Sequence, residues 1–336
     1  MYSVINRSLM ALLTAFAIAA LFGLMTVPLL QKLKLGQAAQ SEGPKANLNK
    51  QGTPTIGGII MMSAIVLSTL FWAGESYTFV LTALLMSMLF ALVGFADDFI
   101  KVNKRRSRGL NAWQKLVIHS VIALGFAFWL YRLEGVGPYM WNGALDIGGF
   151  YIPFAMFVIV ATVNSVNLTD GIDGLASSVT AIYALLMGVL LCVTVVLAPS
   201  AADPQDLMNR SSLGSFSMAV SGACIGFLIY NTHPAKVFMG DTGSHMLGGA
   251  VAAIALMSGT ALLLPLMGIC FAASSVSVIL QVASNKLRNG KRLLLMAPIY
   301  HHFEMKGVPE AKIVSIYSII TLVCSAAALL IYWVLQ

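Results

Sequence analysis

The sequence predicts an all-α polytopic integral membrane protein with about ten transmembrane helices, formed by a single domain over residues 1–336. Hydrophobic residues make up 58% of the chain, charged residues only 10%, and the mean hydropathy is +0.85. This composition excludes an ordinary soluble globular protein. Apolar runs close to the roughly 20 residues that cross a hydrocarbon core recur along the whole chain. No repeat, low-complexity tract or soluble domain interrupts them.

Ten apolar runs follow one another along the chain. The first comes after Arg7 and is too long for the apolar core of a signal peptide, so it is predicted to stay as a membrane anchor. Polar segments separate the others and become the loops. The predicted spans are 8–30, 56–73, 77–96, 113–131, 151–167, 174–197, 213–231, 242–257, 260–284 and 312–335.

The basic residues are divided unequally between the two faces of the membrane. Lys and Arg concentrate in cytoplasmic loops, and one set of alternate loops holds all of the 20 basic residues except Arg7, Arg132 and Arg210. Both termini are therefore predicted to lie on the outer face. The net charge of +7 reflects this asymmetry and does not indicate nucleic acid. It attracts anionic membrane lipids or, alternatively, also gathers an anionic substrate.

Four unusual polar segments fall at the ends of predicted spans or between them, and by the same alternation all four belong to the cytoplasmic face. They are FADDFIK (95–101), NSVNLTDGIDG (164–174), NTHPAKVFMGDTGS (231–244) and APIYHHFE (297–304). A secondary transporter is one alternative, but proteins of that class carry their acidic residues near the middle of the membrane. Carboxylates gathered at one end of the spans favour an active site on the cytoplasmic face.

The adjacent residues Asp97 and Asp98 admit two interpretations. Lys101 follows them by four and three positions, so a simple ion pair on a helix surface explains the pattern. Alternatively, two carboxylates beside a cation hold Mg²⁺, accept a proton or position phosphate oxygens. The other three clusters on the same face favour the second interpretation.

The two central segments add further carboxylates. Asn167, Asp170 and Asp173 recur every three residues, which an Asx-type turn between two helices explains only in part. Asp241 lies between two glycines at a predicted helix start, where free backbone N–H groups favour anions. A role of Asp241 as the N-cap of that helix is the simpler alternative.

The pair His301 and His302 offers imidazole groups in the last segment. Adjacent positions do not point the same way on a helix and no cysteine is near, which disfavours zinc. Basic residues just upstream favour a loop that contacts an anion. Solvated loop histidines are the alternative.

Five segments together resemble one family. GTPTIGG (52–58), DDFIK (97–101), NLTDGIDG (167–174), NTHPAKVFMGDTGS (231–244) and APIYHHFE (297–304) occur in this order. They resemble the phospho-N-acetylmuramoyl-pentapeptide transferases of the polyprenyl-phosphate N-acetylhexosamine-1-phosphate transferase superfamily. The resemblance extends over essentially the whole chain. The last segment favours this branch over the UDP-GlcNAc:polyprenyl-phosphate transferases, which are the nearest alternative.

The resemblance implies a reaction, a cofactor and a location. Phospho-MurNAc-pentapeptide would pass from UDP-MurNAc-pentapeptide to undecaprenyl phosphate, giving lipid I and UMP with Mg²⁺. Breaking a pyrophosphate depends on charge neutralisation, which carboxylate-bound Mg²⁺ beside lysines supplies. The protein would be a multi-pass homodimer in the bacterial cytoplasmic (inner) membrane. Whether Asp97 attacks as a nucleophile or serves the lipid phosphate stays open.

The resemblance also implies roles for individual residues, with Asp97 at the lipid phosphate and Asp241 as the Mg²⁺ ligand. The catalytic residues would be Asp97, Asp98, Lys101, Lys115 and Asp241. The substrate contacts would be Lys50, Thr55, Asn167, Asp170, Asp173, Asn231, Phe238, Tyr300, His301 and His302, with Phe238 stacking on the base.

The chain departs from the family pattern at one position. Tyr300 stands where the family has the first histidine of a triple-histidine motif, of which His301 and His302 match the second and third. Tyrosine donates a hydrogen bond but does not act as an imidazole near neutral pH. Tyr300 is therefore predicted to bind substrate and not to serve as an acid, base or metal ligand.

Overall fold

The computed structural model describes residues 2–33, 52–103, 109–137, 139–140 and 145–334. The predicted substrate contact Lys50 lies outside these ranges, as do four of the basic residues between Asp97 and Lys115.

Within the residues that the structure describes, ten long α-helices occur where the ten spans were predicted, and two short α-helices are added to them. A two-residue strand pair, Tyr139–Met140 with Leu145–Asp146, joins the fourth and fifth helices. The helices are α1 Tyr2–Lys32, α2 Gly58–Phe71, α3 Tyr77–Asn103, α4 Ala112–Arg132, α5 Tyr151–Thr169, α6 Leu175–Val196, α7 Pro204–Asn231, α8 Gly240–Met257, α9 Leu264–Met267, α10 Ile269–Leu287, α11 Ile299–Met305 and α12 Glu310–Val334.

Eight of the long helices are long and apolar enough to cross a membrane. The exceptions are α2, which has 14 residues, and α8, which begins with the polar sequence Gly-Asp-Thr-Gly. The prediction of an all-α, multi-pass membrane protein is confirmed at this level. The count of ten spans and the outer position of both termini stay predictions.

Several predicted spans differ from the observed helices, and α1 and α7 begin earlier than predicted, at Tyr2 instead of 8 and at Pro204 instead of 213. The third was predicted to end at residue 96, but α3 continues to Asn103, so that Asp97 and Asp98 are buried within the helix. Partners on neighbouring helices balance their charge, which removes the reason for the helix to stop. The ninth span is divided at Gly268, whose backbone is not helical and which follows Pro265 closely.

The helix α8 lies at the centre of the bundle and is buried along almost its whole length. It packs against α3 and α5, and also against α2, α6 and α7. Small residues permit these close approaches, as in other membrane helix pairs. At Gly94 of α3, a side-chain carbon would overlap the backbone carbonyl of Asp241. Glycine at this position therefore brings the end of α3 directly against the start of α8.

Candidate active site

Three carboxylates and two ammonium groups meet at one end of the bundle, where α3 ends, α4 begins and α8 begins. We call these residues the acid cluster: Asp97, Asp98, Lys101, Lys115 and Asp241. One carboxylate oxygen from each of the three aspartates lies within 4.8 Å of the others. The sequence predicted these five residues as catalytic, and the structure brings all five together.

Asp97 lies between the two lysines. Its Oδ2 is 2.6 Å from Lys101 Nζ and 3.1 Å from Lys115 Nζ. Its Oδ1 accepts a hydrogen bond of 2.6 Å from the backbone N–H of Leu110. The pairing of Asp97 with Lys101 along one helix face is thus real, but it is buried and includes a second cation from α4. A simple surface ion pair does not describe it.

Asp241 shares the same two lysines. Its Oδ2 is 3.0 Å from Lys101 Nζ and 2.6 Å from Lys115 Nζ. Its Oδ1 accepts a hydrogen bond of 3.0 Å from Nδ2 of Asn167, which also donates to Ser244 Oγ. Asp241 therefore joins α3, α4 and α5 to the first turn of α8.

Asp98 holds the start of α8. Its carboxylate accepts hydrogen bonds from the backbone N–H of Asp241 at 3.1 Å and of Thr242 at 2.9 Å, and from Thr242 Oγ1 at 2.7 Å. The helix start was predicted to attract an anion, with Asp241 as its simplest N-cap. The anion is Asp98 instead, because free N–H groups at a helix start favour any carboxylate that reaches them. A catalytic role for Asp98 stays a prediction.

Thr55 lies beside this contact. Gly240 has a positive φ of 70°, and a side-chain carbon there would be 2.5 Å from Asp98 Oδ2 and 2.7 Å from Thr55 Oγ1. Thr55 is buried, and its hydroxyl has no hydrogen-bond partner within the described part of the chain. A buried hydroxyl next to the acid cluster fits its predicted role as a substrate contact.

Asp170, in the loop between α5 and α6, faces the acid cluster. Burial raises its pKa well above the usual range, and the negative charges of Asp241, Asp98 and Asp173 raise it further. The ionised form of such a carboxyl group is unfavourable in the free protein and becomes favourable when a cation binds nearby. The protonation of Asp170 therefore depends on the charge of the acid cluster.

The remaining predicted nucleotide contacts belong to a network of loops. Asn231 is buried, and its amide group bonds the backbone of Gly174 and Val237 and the hydroxyl of Ser177. Asp173 accepts hydrogen bonds from the backbone N–H of Ala235 and from His233 Nδ1, both at 3.1 Å. These bonds hold the segment after α7 against the segment before α6; direct contact with a nucleotide stays a prediction.

Phe238 lies next to the acid cluster and is partly exposed. Its backbone N–H donates to the carbonyl of Pro54, and its own carbonyl accepts from Gly57, each at 2.9 Å. The ring is therefore carried on a backbone that is fixed on both sides, as a stacking surface requires.

The short helix α11 carries Tyr300, His301 and His302. Tyr300 is buried and its hydroxyl donates a 2.8 Å hydrogen bond to the carbonyl of Leu168. Burial and Asp170 raise its pKa well above the usual value, so the phenol keeps its proton. His301 pairs with Glu304 at 2.7 Å, and His302 accepts from the backbone N–H of Leu295.

Tyr300→Phe is expected to keep turnover within about threefold of the original protein, because the hydroxyl is used on a backbone carbonyl. The midpoint of thermal unfolding should fall by a few degrees. Steady-state kinetics and a thermal melt check both. Tyr300→His provides the comparison: a loss of turnover about a hundredfold in Tyr300→Phe alone would show that the hydroxyl serves the substrate.

Several residues at the site were not predicted from the sequence. They are Gly94, Leu110, His119, Thr242, Ser244 and His245. His245 follows Asp241 by four positions and His119 follows Lys115 by four, so a search for polar residues one turn from each predicted site residue would have found both.

The acid cluster has the chemistry of a Mg²⁺ site. Carboxylate oxygens are the ligands that this ion prefers. The oxygens of Asp98 are taken by N–H and hydroxyl donors, which leaves Asp97 and Asp241 as the ligands, each with one oxygen, Oδ2, that is paired with the lysine ammonium groups. A second group, Asp173, His233 and Glu310, also has possible ligand atoms within 4.8 Å of one another. The ring nitrogen of His233 is paired with the carboxylates of the other two residues.

Comparison with known proteins identifies the relatives of this chain. Residues 80–259, more than half of the sequence, match glycosyl transferase family 4. The chain belongs to glycosyl transferase family 4. The matched range contains the whole acid cluster, whereas Thr55 and α11 lie outside it.

Several named proteins are similar to this chain over almost the full length. A phospho-N-acetylmuramoyl-pentapeptide-transferase of Clostridium perfringens (strain 13 / Type A) is 43% identical over 321 residues, covering 94% of this chain and 96% of the relative. One of Caldanaerobacter subterraneus subsp. tengcongensis is 42% identical over 323 residues, covering 95% and 96%. One of Heliobacterium modesticaldum is 42% identical, covering 92% of each. The resemblance seen in the sequence motifs is confirmed.

Proposed function

We propose that this protein transfers phospho-MurNAc-pentapeptide from UDP-MurNAc-pentapeptide to undecaprenyl phosphate, producing lipid I and UMP at the cytoplasmic face of the bacterial inner membrane. One observation carries the proposal: a partly buried cluster of three aspartates and two lysines lies at one end of a membrane helix bundle. The relatives that are 42% to 43% identical are named for this transfer. No feature of the site favours UDP-GlcNAc or a transporter.

The reaction exchanges one phosphorus–oxygen bond for another. An oxygen of undecaprenyl phosphate bonds to the phosphorus next to the sugar, and the bond from that phosphorus to the bridging oxygen breaks, so that UMP leaves. Asp97 is the residue we assign to the lipid phosphate, as the acceptor of its proton or as the group that orients it. Lys101 and Lys115, which contact both Asp97 and Asp241, neutralise the charge that develops on the phosphate oxygens.

Asp241 would hold Mg²⁺, with Asp97 as the second available carboxylate. When bound, the ion supplies neutralisation of pyrophosphate charge. Asn167 orients the carboxylate of Asp241 through its Nδ2 hydrogen bond. Asp170 faces the same position, where its unfavourable negative charge would be relieved by a cation.

The nucleotide would lie along the loops next to the acid cluster, with the base on the ring of Phe238. The amide of Asn231 and the carboxylate of Asp173 shape this pocket through their loop contacts. Thr55 offers a buried hydroxyl that has no partner among the described residues, and His301 offers an imidazole oriented by Glu304. The proposal also includes two predictions from the resemblance, namely that the protein forms a homodimer and that Lys50 contacts a phosphate group.

Release of UMP tests the proposal directly. Purified protein is incubated with undecaprenyl phosphate and Mg²⁺, together with UDP-MurNAc-pentapeptide or UDP-GlcNAc, and Asp241→Asn serves as the inactive control. We expect UMP from the first nucleotide only, and only with the unchanged protein. Activity with UDP-GlcNAc alone would overturn the assignment. Trapping a phospho-aspartyl species without lipid acceptor would distinguish covalent from direct transfer.

A further inference from the structure

A second layer of side chains lies deeper in the bundle than the acid cluster, on the three helices that carry the cluster and on α5. It consists of Phe90 on α3, His119 on α4, Asn164 on α5 and His245 on α8. We call these residues the histidine layer. None of them belongs to the five sequence segments that resemble the family.

The spacing along each helix places this layer directly under the site. His119 follows Lys115 by four positions, and His245 follows Asp241 by four. Asn164 precedes Asn167 by three. Residues three or four positions apart share one helix face. His119, Asn164 and His245 therefore each lie beneath a residue that contacts Asp241 or beneath Asp241 itself, and Phe90 packs against His119 from α3.

The contacts within the layer are specific. The rings of His119 and His245 are 4.9 Å apart and meet edge to face, and Phe90 packs against His119 at 5.5 Å. Asn164 Nδ2 is 3.5 Å from His119 Nδ1. His245 Nδ1 is 2.7 Å from the backbone carbonyl oxygen of Asp241. One polar bond thus leads from the histidine layer to the residue assigned to the metal.

These contacts determine where the ring protons lie. A carbonyl oxygen only accepts, so His245 carries its proton on Nδ1 and donates it to Asp241. The amide nitrogen of Asn164 only donates, so His119 accepts at Nδ1 and carries its proton on Nε2. The two imidazoles are therefore in different tautomers.

Packing alone does not explain two histidines at this depth. His119 is 0% exposed and His245 is 1% exposed, and His119 Nε2 has no hydrogen-bond partner among the residues that the structure describes. Apolar side chains of similar size fill such a layer without leaving a buried polar atom unpaired. A role in positioning explains why histidines occupy these two places although burying an unpaired ring nitrogen is unfavourable.

We propose that His245, backed by His119, is a positioning residue that fixes the peptide group of Asp241. This peptide group, which joins Asp241 to Thr242, is held at the Thr242 N–H by Asp98 and at the Asp241 carbonyl by His245, while Gly94 lets α3 close against the same carbonyl. The carboxylate of Asp241 is then presented in one orientation to a divalent cation. The inference rests on the proposed role of Asp241 as the metal ligand.

Binding of Mn²⁺ to the purified, substrate-free full chain, followed by electron paramagnetic resonance, tests this role. His245→Leu removes the donor, and His245→Asn places an amide N–H close to the position of Nδ1. We expect His245→Leu to weaken Mn²⁺ about fivefold to tenfold and to raise the Mg²⁺ concentration for half-maximal turnover in proportion. The KM for the nucleotide substrate should stay unchanged, and His245→Asn should restore binding to within about twofold.

Tyr183→Phe is the matched control, because it removes another side-chain bond to a backbone carbonyl of α8, that of Val251, far from the first turn. It should leave Mn²⁺ binding unchanged. If His245→Leu does not fold, His245→Gln replaces it, since its amide lies one bond further out and misses the carbonyl. Unchanged Mn²⁺ binding in His245→Leu or His245→Gln overturns the inference. Unchanged binding in Asp241→Ala overturns the metal assignment instead.

Discussion

Asp97→Asn is expected to lower kcat by about a thousandfold while changing the KM for the nucleotide substrate by less than about threefold. The amide cannot take a proton from the lipid phosphate, and its NH₂ group repels the two ammonium groups that now lie 2.6 Å and 3.1 Å from the carboxylate. The thermal midpoint should change little, because Asp241 still pairs with both lysines. UMP release and a thermal melt provide the two measurements.

Asp98→Asn is the matched comparison, because it makes the same chemical change one residue away. Asp98 accepts the first backbone N–H groups of α8, and loss of the charged cap should lower the thermal midpoint by several degrees as well as lowering activity. Equal effects of the two substitutions on both stability and kcat would contradict this division of roles.

Lys115→Met is expected to change turnover and metal affinity in opposite directions. Lys115 Nζ lies 2.6 Å from Asp241 Oδ2, the oxygen that we assign to Mg²⁺, so the ammonium group and the ion compete for it. An ammonium group and a divalent cation about 4 Å apart repel by roughly 8 kcal/mol at an effective dielectric constant near 20. Removing the ammonium group should tighten Mn²⁺ binding about tenfold or more, measured without substrate.

The same substitution should reduce kcat about a hundredfold, because the displaced ammonium group is the one that neutralises the phosphate oxygens. Lys236→Met, on an exposed turn before α8, is the control and should leave both quantities unchanged. Weaker Mn²⁺ binding together with lower kcat in Lys115→Met would mean that the lysine only supports the site, and it would remove the competition from the mechanism.

The helices were predictable because a bilayer requires a repeated length of apolar residues, and nearly all helix positions follow from that requirement. The break at Gly268 and the continuation of α3 through Asp97 were not. A helix continues past charged residues when those residues are paired with groups from other elements, and it otherwise stops. Those partners, Lys115 and the start of α8, come from other parts of the chain.

The site residues were predictable as a set, and their individual contacts were not. Asp97 and Asp98 are adjacent in sequence, yet one contacts lysines and the other contacts backbone N–H groups. Neighbouring positions on a helix point about 100° apart, so they meet different partners. His245 was missed because it directly follows the polar segment 231–244, and its four-residue spacing from Asp241 is the one sequence signal that indicates it.

By itself, the sequence determined that this protein crosses a membrane many times, that its polar segments gather at one end of the helices, and that its motifs match one transferase family. These properties follow from composition, alternation and local pattern, which are all carried by neighbouring residues. Only the tertiary structure decided that Asp98 holds α8, that two lysines bridge Asp97 and Asp241, and that a histidine layer lies beneath them. The low dielectric of the interior makes an unpaired charge or buried donor costly. Such groups are therefore paired with whichever residues lie near them in the fold, however distant those residues are in the sequence.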